Sequence, residues 1–237
     1  MVIIVKTDDM GLVGAILFLT GLIMILVAWN FSYPIHIPGS AEEVMFVQFY
    51  PLIWPGILLS LIGLFLAGYY SKRKSVKTIC VSFFPIVLYS YVFFFSYTPT
   101  SDSGAVKAMF EIFHETGINP LAEPYFHYPV FFTLNEMVSR ILRLTAESVA
   151  ALLFLFFGVL LANYLFLFLS RVGKDGSYQI AFLGVPFYFS ALYFHLNYQW
   201  APQTLALVFL ILLLFLFDRK KVKYKILALL IFIALVF

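Results

Sequence analysis

The chain has 237 residues, of which 63% are hydrophobic and 20% aromatic, while only 11% are charged. A mean hydropathy of +0.98 lies far above the range of water-soluble domains and excludes an ordinary soluble globular fold. The formal net charge of +3 is small and follows from where the basic residues fall along the chain, so it gives no hint of nucleic acid as a partner.

A helix needs about 20 apolar residues to cross the hydrocarbon of a bilayer. Runs of that kind occupy residues 11–29, 52–70, 79–97, 149–169 and 180–196, and shorter ones occupy 204–217 and 226–237. The first run is longer than the apolar core of a cleavable signal, and no small-residue cleavage site follows it before Phe31, so it reads as a retained anchor. The last run stops at the terminus and is too short to span, which predicts a sequence that ends inside a helix and forms the N-terminal part of a longer protein. The expected fold is an all-α polytopic membrane protein with about seven transmembrane helices, the last one truncated. A single cysteine, Cys80, rules out a disulfide within the chain.

Cationic loops are retained on the cytoplasmic side. A cytoplasmic N-terminus puts 71–78, 170–179 and 218–225 inside, and with Lys6 these hold all of the 15 Lys and Arg residues except Lys107, Arg140 and Arg143. The exceptions fall in one external segment, 98–147, between the third and fourth runs. In 104–116, Ala105, Val106, Met109, Phe110, Ile112 and Phe113 recur at helical spacing, with Lys107, Glu111, His114 and Glu115 opposite. Ser101, Asp102 and Ser103 offer N-caps, and Gly117 a stop. After Pro120, Pro124 and Pro129, a second amphipathic helix over 130–144 groups Phe131, Leu134, Val138, Ile141 and Leu142. Its polar side carries Asn135, Glu136, Ser139, Arg140 and Arg143. Helices so divided lie in the membrane interface, here as a jaw on the outer surface. Glu136 and Glu147 stand at i, i+4 spacing from Arg140 and Arg143 and offer ion pairs. His114 and His127 read as surface or interface histidines, without a second ligand at metal-like spacing.

The order of an apolar helix, then TPTSDSGAVKAMFEIFHETGINP, then YFHYPVFFTL, then paired apolar helices joined by an outer turn containing Pro202 resembles the GT-C superfamily of integral membrane glycosyltransferases. Asp102 matches that family's external-loop aspartate, Gly117 the glycine ending the first jaw helix, and Tyr128 with Pro129 the turn before the second. The likeness covers 79–237 and makes 1–78 a two-helix N-terminal addition. Val130 departs from the pattern where a second proline is common, and the turn 197–202 carries no carboxylate, which argues against a two-acid metal site.

The resemblance implies transfer of a sugar from a polyprenyl-phosphate-linked donor to a lipid, glycan or protein acceptor at the external face of the cell membrane. In that chemistry Asp102 takes the acceptor proton, or ligates a divalent cation such as Mg or Mn that offsets the phosphate charge. Arg140 and Arg143 would grip the lipid phosphate, with His127, Tyr128 and Gln199 completing the substrate set. Asp102 as a plain helix cap is the structural alternative. A transporter or flippase of lipid-linked intermediates and a non-catalytic membrane subunit are the functional ones. The first would need ionisable groups within its spans, and these runs hold almost none.

Overall fold

A computed structural model describes residues 7–31, 52–90, 101–116, 129–172, 178–190, 202–217 and 221–236, and all the regular structure among them is helical. In chain order the helices are α1 (Thr7–Phe31), α2 (Ile53–Tyr70), α3 (Lys74–Leu88), α4 (Ser101–Thr116), α5 (Pro129–Leu142), α6 (Ala146–Val172), α7 (Tyr178–Ser190), α8 (Pro202–Phe217) and α9 (Val222–Val236). Among the described residues three stretches are long and apolar enough to cross a membrane, Asp9–Asn30, Ile53–Tyr70 and Ser148–Val172. Tyr178–Phe189 and Thr204–Phe217 are apolar but shorter. The distal parts of the expected third and fifth spans, 91–97 and 191–196, lie outside the described residues.

Helix α6 is the centre of the bundle. Phe154, Phe157, Leu161, Ala162 and Phe166 are buried along it, and α3, α4, α5, α7 and α8 all pack against it. Its contact with α3 includes a polar link in which Asn163 Nδ2 donates to Ser82 Oγ at 2.9 Å. Such interhelical bonds contribute about 0.6 kcal/mol in a bilayer. By contrast α1 shows Leu12, Ile16, Leu19, Ile23 and Leu26 on its outer surface. An apolar face that broad is stable only against hydrocarbon or another apolar surface.

What holds α1 to α2 is the absence of side chains. A Cβ built on Gly14 would stand 2.7 Å from the Gly63 carbonyl oxygen, one on Gly21 would stand 2.5 Å from that of Gly56, and one on Gly56 2.9 Å from that of Gly21. The two backbones therefore touch along the glycine rows, and Ser60 Oγ donates across the seam to the Phe18 carbonyl at 3.3 Å. Close backbone approach through small residues supplies dispersion contacts where lipid offers no hydrophobic drive for helix association.

The loop expected at 71–78 is shorter than its charge suggests. Helix α3 already begins at Lys74, and only 71–73 connect it to α2. Lys77, counted from the sequence among the basic residues of that loop, is 2% exposed. Its Nζ donates to the carbonyls of Gly68 at 2.7 Å and Tyr69 at 3.3 Å, in the last turn of α2. The same ammonium lies 5.3 Å from the centre of the Phe182 ring on α7. The lysine thus satisfies carbonyls that a helix end leaves open and complements the dipole there, which joins α2, α3 and α7 at one point.

Candidate functional site in the α4–α5 segment

The segment between the third and fourth apolar runs forms the expected pair of helices, packed on α6, with Phe110 of α4 and Phe131 and Phe132 of α5 all buried. Phe113 and Phe132 meet across the pair with ring centres 5.8 Å apart. The faces of α5 differ from the sequence expectation. Asn135 and Ser139, assigned to the polar side, are buried, while Ile141, assigned to the apolar side, is 72% exposed. The rotation is affordable because each inward polar group finds a backbone acceptor. Asn135 Nδ2 donates to the Phe131 carbonyl at 2.7 Å, and Ser139 Oγ to that of Leu144 at 2.8 Å. It leaves Val130, Met137 and Ile141 as an exposed apolar stripe suited to the acyl boundary.

Beside that stripe a carboxylate clasps the two helices. Glu136 on α5 accepts from His114 Nδ1 on α4 at 2.7 Å and, through its other oxygen, from Arg140 Nε one turn along α5. The pairing of Arg140 with Glu136 was legible at i, i+4 spacing; the histidine was not, because 22 residues separate it from its partner. With Nδ1 engaged by the carboxylate, Nε2 is the ring nitrogen that the clasp does not use. Partial burial of Glu136 works to raise its pKa, but the hydrogen bonds and charges of His114 and Arg140 outweigh that and hold it below its ordinary 4.5.

A depressed folded pKa means that the clasp contributes fully above the ordinary value and is lost as pH falls through the lowered one. Since the His114 and Arg140 side chains are 49% and 72% exposed, screening limits the contribution to on the order of 1 kcal/mol. The wild-type chain should therefore unfold at a higher temperature than Glu136→Gln above the ordinary carboxylate range and lose that advantage as pH falls below it through the lowered pKa. An advantage that does not change with pH would show that the carboxylate carries no such role.

The end of α5 also departs from expectation. The helix closes at Leu142 instead of running through 144, and Arg143 takes a left-handed backbone with φ 54°. The Leu144 N–H reaches the Ser139 carbonyl at 3.1 Å, the six-residue closure of a Schellman motif whose left-handed position usually holds glycine. An arginine there costs about 1 kcal/mol. Its side chain is exposed, and because the helix ends at Leu142 the i, i+3 row that starts at Arg140 does not continue to it. Thr145 then opens α6, with its Oγ1 accepting from the Ser148 N–H at 3.4 Å.

Asp102 lies within α4, not ahead of it, which moves the capping role off this residue; its side chain is outside what the structure describes, as is that of Glu147. At 1.5 Å per residue, Asp102 is about 18 Å along α4 from His114, so the clasp and the aspartate are separate places on the jaw. His127, Tyr128 and Gln199 fall outside the described residues. Among the described residues no three His, Cys, Asp or Glu side chains converge on a point that would hold a metal ion. No family model, curated protein or solved structure matches this chain.

Proposed function

We propose that this chain acts as a membrane glycosyltransferase that moves a sugar from a polyprenyl-phosphate donor to an acceptor at the external surface of the cell membrane. The observation that carries the reading is the jaw itself, two amphipathic helices laid on the central apolar helix, clasped by Glu136, with an exposed apolar stripe and exposed Arg140 on α5 and exposed Arg143 just past its end. A lipid-borne phosphate approaching from the bilayer meets such a surface with its chain on the stripe and its charge on the arginines. Arg140 is committed to the clasp, so the donor phosphate falls to Arg143, and Asp102 serves as the proton acceptor on the resemblance to GT-C enzymes. The seven-span arrangement with a cytoplasmic N-terminus belongs to the same reading. The transporter alternative loses support because Lys77 is the only buried charged side chain among the described residues, and it is spent on helix carbonyls.

The test is transfer of labelled sugar by membranes containing the chain, supplied with polyprenyl-phosphate-linked sugar, with and without divalent cation. Absence of transfer from every donor sugar ends the reading. Within it, Arg143→Gly should raise thermal stability, by about 0.5–1 kcal/mol as the left-handed strain is relieved, and yet weaken donor binding, read as a raised donor KM. Stability gained with donor dependence unchanged would remove Arg143 from the site.

A further inference from the structure

A second feature lies among α2, α3 and α7, outside the α4–α5 pair. Phe65 of α2, Phe84 of α3 and Ile180, Leu183 and Phe187 of α7 line an open apolar groove of about 550 Å³. The size falls in the range of pockets that hold one small ligand. Its rim is exposed, with Phe187 at 78% and Ile180 at 68%. One end of the groove is marked by charge. Lys74 Nζ lies 5.1 Å from the centre of the Tyr178 ring, at the start of α7 just ahead of Ile180, and Lys77 sits over Phe182. Lys72, Arg73 and Lys74 are exposed on the same edge, where α2 ends and α3 begins. An apolar channel running from a cluster of cations has the two-part chemistry of an amphiphile with an anionic head.

We infer that this groove binds one acyl chain of an anionic glycerophospholipid, whose headgroup phosphate is held by Lys74 and its neighbours Lys72 and Arg73. Charge complementarity selects the occupant. A neutral or zwitterionic lipid could fill the groove but would gain nothing from the cations, whereas each basic residue at a membrane surface attracts an anionic lipid. The buried Lys77 adds rigidity, since it joins the end of α2 to Phe182 of α7. The inference is independent of the glycosyltransferase reading and survives its failure.

The experiment uses the whole chain purified in detergent and stripped of lipid, with bound lipid counted by native mass spectrometry. Dioleoyl phosphatidylglycerol should be retained in preference to dioleoyl phosphatidylcholine, and Lys74→Gln should lower its retention about fivefold. Leu183→Trp, which fills the groove, should lower retention of phosphatidylglycerol while leaving the thermal unfolding of the lipid-free protein unchanged. Lys221→Gln, in a basic stretch away from the groove, should leave retention as it is. Equal retention of the two lipids, or indifference to both Lys74→Gln and Leu183→Trp, overturns the proposal. Competition by inorganic phosphate as strong as by the lipid would show that the groove contributes nothing, and displacement by polyprenyl phosphate at lower concentration would assign the site to that lipid instead. Either result also ends the proposal.

Discussion

Asp102→Asn should lower sugar transfer about 10²–10⁴-fold, the usual effect of removing a general base, with thermal unfolding unchanged. The substitution keeps shape and hydrogen-bonding capacity but cannot accept a proton at neutral pH. Asp102 lies within α4 and about 18 Å along the helix from the clasp, so its loss should not open the jaw. His114→Gln supplies the contrast. It removes the bond from Nδ1 to Glu136 that joins α4 to α5, and should lower stability on the order of 1 kcal/mol with less than about a tenfold effect on transfer. The reverse ranking, with the histidine variant silent and the asparagine variant active, would move the base to His114 Nε2. Full activity in both variants would remove the jaw from the chemistry altogether.

Gly63→Leu should leave little folded protein. A Cβ on Gly63 would stand 2.6 Å from the Gly14 carbonyl oxygen and closer still to the Phe18 backbone nitrogen. Both are backbone atoms of a helix and cannot turn aside as a side chain would, so α1 and α2 must separate along their length. Separation forfeits the contacts at Gly14, Gly21 and Gly56 together, and the cost should exceed the roughly 1–3 kcal/mol of ordinary overpacking. Thermal unfolding in nanodiscs measures it. The smaller pair Gly14→Ala and Gly63→Ala should be less than additive, because one displacement accommodates both methyl groups. Additive costs would mean that the helices yield locally and that the glycine seam does not set their spacing.

These predictions differ in how far they could be reached from the residues alone. The sequence by itself determined the apolar helices, the amphipathic pair between the third and fourth runs, and the Glu136–Arg140 link, because each is a matter of local period. Residues that are one turn apart, or that recur every 3.6 positions, meet whatever the rest of the chain does. It also raised Asp102, Arg140 and Arg143 through their order and their resemblance to GT-C enzymes, and that assignment rests on the transfer experiments.

Only the tertiary structure decided the rest, because it depends on which helices become neighbours. The glycines of α1 and α2 look like ordinary membrane-helix glycines until the helices are set against each other. Lys77 counts as a loop cation until the Gly68 and Tyr69 carbonyls arrive beneath it. His114 reads as a surface or interface histidine until α5 brings Glu136 to it. The inward turn of Asn135 and Ser139 shows the same limit from the other side. Hydropathy assigns both to solvent, yet a buried amide or hydroxyl costs little once a carbonyl accepts its hydrogen bond, and which carbonyls are in reach is fixed by the fold.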